Sequence, residues 1–239
     1  MNILGVKCDN LTRNSALEQA MWQLDNSKKA NLYFLNADCF YKTQKDSNYR
    51  SIVNSADLVL PDGIGLRIVA RLFGEKIKEN CNGTDFSPLL MKKAAEVGYK
   101  IFFLVSKEGI AEKAAENVRK QIPGVRIVGS SSGYFSDSAK VINIINDSGA
   151  DILFVAMGAP LQEKWIAMHR GELKPRLCLG VGALFDYLSD SIPRAPLFMR
   201  KMHFEWLWRI FIEPRRMFKR YIIDGAKLFW ILLKCRNRR

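Results

Sequence analysis

Five short segments of this chain place Gly, Asp or Asn where an apolar run ends, a position that packing alone rarely asks for. In Leu35-Asn36-Ala37-Asp38, Asn36 can hydrogen-bond a sugar or a nucleotide; an Asx turn or a helix cap accounts for it equally. Leu60-Pro61-Asp62-Gly63-Ile64-Gly65 sets a carboxylate just before two glycines, where backbone can approach a ligand closely. Asp62 can there act as general base on an incoming hydroxyl, or cap a helix over Ile64–Phe73. Asn82-Gly83-Thr84-Asp85 opens another helix, whose first N–H groups can receive phosphate or a nucleoside; Asp85 also reads as a cap. In Met157-Gly158-Ala159-Pro160-Leu161-Gln162-Glu163, Gly158 permits close approach and Pro160 suits a first helical turn. Gln162 in that turn can face a ligand and Glu163 favours the helix dipole, although a plain strand-to-helix turn uses the same residues. Gly180-Val181-Gly182-Ala183 has two of the three glycines of a dinucleotide fingerprint. It lies late in the chain and lacks the third, so it fits a tight turn at a pocket better than a nicotinamide site.

These segments share a site only if one edge of a fold collects them. The apolar runs Asn31–Asn36, Ala56–Leu60, Lys100–Val105, Val125–Gly129, Asp151–Ala156 and Arg176–Val181 read as strands. Runs this continuous suit strands covered on both faces. Between them, Thr84–Val97, Gly109–Gln121, Asp137–Asn146 and Pro160–Arg170 carry helical spacing; Thr84 and Asp85 suit the first cap, and Pro123-Gly124 stops the second. The alternation predicts an α/β fold with a Rossmann-like, mostly parallel sheet flanked by helices. Ligands then gather at the C-terminal strand ends, where all five segments fall.

Composition narrows the partners. Of 239 residues 48% are hydrophobic and 26% charged, enough for a packed core. The net charge is +13, and residues 194–239 carry thirteen Lys or Arg against Glu205, Glu213 and Asp224, so ten of the thirteen charges sit there. Two prolines mark the change at Ile192-Pro193-Arg194-Ala195-Pro196, which divides the chain into a core over 1–193 and a basic helical appendage over 194–239. In the appendage Phe204, Leu207, Trp208, Phe211 and Ile212 follow helical spacing up to Pro214. Such a tail can lie on an anionic membrane, bind nucleic acid, or be a solvated face over an aromatic core. Trp206, Trp208, Phe218 and Trp230 interleaved with Arg and Lys favour the membrane surface. No 18-residue apolar run can span a bilayer and Met1 to Asn10 is no signal peptide. Five cysteines without C-x-x-C spacing fit a reducing compartment, and two histidines assemble no zinc pattern.

Taken in order, LNAD (Leu35–Asp38), ADLVLPDGIG (Ala56–Gly65), NGTD (Asn82–Asp85), VGSSSGYF (Val128–Phe135), AMGAPLQEKW (Ala156–Trp165), GVGALFD (Gly180–Asp186), RAP (Arg194–Pro196) and EWLWRIFIEPRR (Glu205–Arg216) resemble the WecG/TagA/CpsF glycosyltransferases across essentially the whole chain. The resemblance implies an inverting, metal-independent transfer from a UDP-sugar, of N-acetylmannosamine type in characterised members. The implied acceptor is N-acetylglucosamine on a polyprenol diphosphate, in teichoic acid or related polymer synthesis. It implies a cytoplasmic protein held peripherally at the inner face of the cell membrane, without cofactor. It assigns the catalytic base to Asp62, polar pocket contacts to Asn36 and Gln162, and phosphate contacts to Arg194, Arg209, Arg215 and Arg216. Asn82, Gly83, Thr84, Asp85, Gly158 and Gly182 complete the expected substrate site. Some members have Thr where this chain has Phe34, so that hydroxyl is absent.

The residues agree with this chemistry. Inversion needs one base, and negative charge developing on the leaving diphosphate needs stabilisation. No Asp-x-Asp pair occurs to hold a metal, so arginines and helix N-termini are expected to replace it. Three rivals stand beside this reading: a nucleotide-dependent oxidoreductase, a nucleic-acid-binding α/β protein, and a peripheral membrane protein without catalysis. The apolar surface of the appendage serves either lipid or a second subunit, the latter making a homo-oligomer.

Overall fold

The computed structural model describes residues 1–26, 29–105, 109–133, 135–202 and 204–236, with the side chains of 201, 216, 219 and 220 outside the description. The chain opens with a hairpin of β1 (Asn2–Ile3) and β2 (Val6–Lys7), then α1 (Arg13–Asn26), β3 (Ala30–Leu35), α2 (Ala37–Lys45), α3 (Ser47–Asn54), β4 (Leu58–Pro61) and α4 (Gly63–Leu72). Next come α5 (Gly83–Val97), β5 (Lys100–Val105), α6 (Ile110–Gln121), β6 (Arg126–Ser132), α7 (Ser138–Asp147), β7 (Ile152–Ala156), α8 (Leu161–His169), β8 (Leu177–Gly180) and α9 (Leu184–Leu188). The remainder is helical: α10 (Leu197–Lys201), α11 (Glu205–Ile212), α12 (Pro214–Phe218), a π-helical turn at Lys219–Ile223, and α13 (Asp224–Arg236).

The six long strands form one sheet in the order β4-β3-β8-β7-β5-β6, every neighbouring pair parallel. Successive strand residues point to opposite faces. Tyr33 and Leu35 therefore join a core layer with α2, α3, α4, α7 and α8, while Leu32 and Phe34 join the layer of α1, α5, α6 and α9. Both layers are closed, which is why the strands read as unbroken apolar runs.

The connections open a crevice. The helices that follow β3 and β7 pack on one face, whereas α9, which follows the intervening β8, packs on the other. Chains leaving adjacent strand ends in opposite directions leave a gap at the C-terminal edge of the sheet. Helix α13 returns to this edge, packs against α2, and buries Leu228 and Leu232 in the first core layer.

Several expectations shift. The fourth strand runs on to Ser132, because its half-buried serines continue edge pairing with β5 through Val105. The fifth helix begins at Gly83 and its cap is Asn82 rather than Thr84 or Asp85. In α11 the apolar residues Phe204 and Phe211 lie exposed, Phe211 at 71%, and the buried residue is Arg209. All five cysteines are free.

Candidate functional site

Strand register brings the central residues together. Leu35 pairs with Pro61, so the next residue on each strand, Asn36 and Asp62, emerges side by side, and the Asp62 N–H donates to the Leu35 carbonyl at 2.9 Å. Asn36 caps α2, its Oδ1 accepting from the Cys39 N–H at 3.0 Å. Asp62 occupies the same place before α4, yet its carboxylate makes no cap hydrogen bond. The two helices leave almost in contact: a Cβ on Gly65 would lie 2.8 Å from Ala37 Cβ, so only glycine fits there.

The loop before α5 is pulled to the same edge. The Cys81 N–H donates to the Pro61 carbonyl at 2.9 Å, which places Asn80 Oδ1 2.7 Å from the Gly63 N–H. Asn82 Oδ1 accepts from the Asp85 N–H at 2.8 Å, and its Nδ2 donates to Asp85 Oδ2 at 2.9 Å. Gly83 rides on the Phe34 ring, where an added Cβ would meet it at 3.2 Å; Phe34 in turn meets Phe86 edge-on.

On the other side of the crevice, the turns after β7 and β8 are tied by one side chain. Gln162 Oε1 accepts from the N–H groups of Gly158 (3.1 Å) and Gly182 (3.0 Å), both glycines at positive φ. Its Nε2 donates to Glu163 Oε1 at 2.6 Å. Gln162 thus acts as a strap between the two turns while standing in the cavity wall. Glu163 is equally buried, and burial pushes its carboxyl up to about 7 against the hydrogen bond from Gln162.

These walls enclose a cavity of about 810 Å³, the size of a site for a large ligand. Asn36, Asp62, Asn82, Gly83, Thr84, Asp85, Gly158, Gln162, Gly182 and Arg209 all line it. Sequence reasoning missed Asn80, Tyr187 and Arg200 in its wall.

The arginines divide. Arg209 of α11 is 7% exposed; its Nε donates to the Tyr187 hydroxyl at 2.6 Å, and its guanidinium stacks 4.8 Å from the Tyr187 ring centre. Glu213 lies 4.0 Å from Nη1, while Nη2 finds no hydrogen-bond partner among the described residues. A buried guanidinium nitrogen without a partner is costly, and one at a cavity wall is an anion site in waiting. Arg194, expected at a phosphate, instead pairs with Asp85 and lies 3.6 Å from Glu205. Burial alone would raise the Asp85 carboxyl; bonds from Arg194 and Asn82, with the charges of Arg194 and Arg13, hold it below the usual carboxylate range. Arg215 is exposed and lines no part of the cavity. The side chain of Arg216 lies outside the described residues.

A profile described as the Glycosyl transferase WecG/TagA/CpsF family matches residues 1–239. One relative, from Bacillus spizizenii, is named N-acetylglucosaminyldiphosphoundecaprenol N-acetyl-beta-D-mannosaminyltransferase. It is 33% identical over 193 residues, covering 81% of this chain and 75% of the relative. A Bacillus subtilis protein of the same name is 28% identical over 216 residues, covering 90% and 84%. The chain belongs to the WecG/TagA/CpsF family and is a glycosyltransferase.

Proposed function

Within that family, we propose that this chain moves a sugar of the N-acetylmannosamine type from a UDP-sugar to an N-acetylglucosamine carried on a polyprenol diphosphate, with inversion and without a metal. The relatives' names supply the acceptor and the sugar class. One observation carries the chemistry: Asp62 lines the same cavity as Arg209, whose buried Nη2 has no hydrogen-bond partner among the described residues.

In this reading the Asp62 carboxylate takes the proton of the acceptor hydroxyl as its oxygen attacks the anomeric carbon. The bond from that carbon to the diphosphate oxygen breaks on the opposite face, and the electron pair leaves with UDP. Arg209, fixed by Tyr187 before substrate arrives, meets the charge that develops there. Arg200 lines the same cavity and adds a second cation. Residues 194–239 act as an appendage that closes the site and rests on an anionic membrane surface at the inner face. Leu197, Phe198, Phe211, Phe218 and Trp230, each more than half exposed, supply apolar contact, and the arginines and lysines supply the charge. No helix among the described residues is long and apolar enough to cross a membrane.

The test offers several UDP-sugars to the full chain with an N-acetylglucosaminyl diphosphate lipid and a chelator present, with products read by mass spectrometry. One added N-acetylhexosamine from a single donor is the expected product. No transfer from any UDP-sugar would overturn the proposal, and product only without chelator would overturn its metal-free part.

A further inference from the structure

We propose that the cavity continues past the arginines as a groove for the first isoprene units of the acceptor lipid, walled by Ile64, Ile68 and Leu72 of α4 and Leu228, Phe229 and Leu232 of α13. The inference rests on the lipid-diphosphate acceptor proposed above and adds the place where its hydrocarbon lies.

The spacing carries the first part. Ile64, Ile68 and Leu72 recur every fourth residue, one stripe along α4, and all three line the cavity that contains Asp62. Leu228, Phe229 and Leu232 form the matching stripe on α13 and line the same cavity. Leu228 and Leu232 are buried and fix α13 to the core, whereas Ile68 is 56%, Leu72 39% and Phe229 54% exposed. Large side chains thus stand open toward a shared cavity, with packed residues behind them.

Ligand chemistry explains the order of the walls. In a polyprenol diphosphate the prenyl carbon is bonded directly to a phosphate oxygen. A site that receives the phosphates must therefore give way within one bond to a surface that receives hydrocarbon. Here α4 starts directly after the base, its stripe begins at Ile64, and Arg200 and Arg209 line the same cavity as the α13 residues. A headgroup lying wholly outside the protein would not need an apolar wall inside the catalytic cavity. Continuity with the charged end selects the lipid over a second copy of this chain, which would cover the same residues from outside.

Farnesyl and isopentenyl diphosphate test this directly, because they share a charged end and differ by ten carbons. Both are titrated calorimetrically into the full chain and into a variant carrying Ile68→Ser and Leu72→Ser. The wild-type chain is expected to bind the farnesyl compound at least tenfold more tightly, and the variant to lose most of that preference while still melting cooperatively. Equal affinities in the wild type would overturn the groove. So would an undiminished preference in the variant, including one that only changes its oligomeric state. Binding needs neither donor nor turnover: a farnesyl preference in a wild-type chain that transfers no sugar sinks the proposed reaction alone, and equal affinities in a wild-type chain that does transfer sugar sink the groove alone.

Discussion

Replacing Tyr187 by Phe removes one oxygen from the support of Arg209 and leaves the ring. The lost bond is the 2.6 Å contact from Arg209 Nε to the hydroxyl, beside a guanidinium that is almost wholly buried. A hydrogen bond to a charged group at such a site is worth about 1.5–3 kcal/mol. The ring still faces the guanidinium at 4.8 Å, so the cation–π attraction persists. If Arg209 stabilises charge on the leaving diphosphate, the loss falls on the transition state and lowers kcat by about tenfold to a hundredfold. The donor KM should move much less, since the ground state lacks the developing charge. Tyr187→Leu also removes the ring and should cost about a further 0.5–2 kcal/mol. The assay is steady-state transfer with both substrates varied, alongside thermal unfolding. An unchanged kcat in Tyr187→Phe, or a loss explained wholly by a lowered melting temperature, would refute the reasoning.

Glu163→Gln tests the buried carboxyl. Its folded-state value lies near 7 against an ordinary 4.5, so the folded chain holds a proton that the unfolded chain has released. Stability from this group is present below about 4.5 and lost as pH rises to about 7, by up to about 3 kcal/mol. Melting curves from pH 5 to 8 should show the variant gaining on the wild type as pH rises; parallel curves would contradict the assignment. Gly65→Ala drives a Cβ to 2.8 Å from Ala37 and should cost about 1–3 kcal/mol. Because α2 and α4 begin at Asn36 and Asp62, transfer should fall along with the melting temperature, and a variant with wild-type stability would show that the helices part freely.

The sheet was legible because its strands are buried on both faces: Ile101 to Val105 and Ile152 to Ala156 are unbroken apolar runs in the chain and neighbouring strands in the fold. The hairpin Asn2–Lys7 was not, since two-residue strands are shorter than any period. Helix α1 escaped notice because its buried stripe is Ala16, Ala20 and Leu24, a faint signal beside exposed Trp22. The site was legible as far as a parallel sheet sends every strand end to one edge, which collected Asn36, Asp62, Gly158 and Gly182. Contacts across the chain had no local mark. Nothing near Gln162 in the chain shows that the N–H groups of two positive-φ glycines, twenty-four residues apart, converge on its side chain. Asn80 gives no sign of its bond to Gly63, which depends on Cys81 meeting Pro61. The amphipathic pattern around Phe204 to Ile212 gave no sign that Arg209 turns inward to Tyr187, while Phe204 and Phe211 stay exposed.

The base assignment is the claim on which the rest depends, and the rate of a single turnover measures it most directly. With donor and lipid acceptor saturating, Asp62→Asn keeps the size and polarity of the side chain but cannot take the hydroxyl proton. The account predicts a chemical step slowed about 10²–10⁴-fold, with UDP binding and melting temperature close to wild type. A variant that transfers sugar at the wild-type rate would contradict it and remove Asp62 from the reaction.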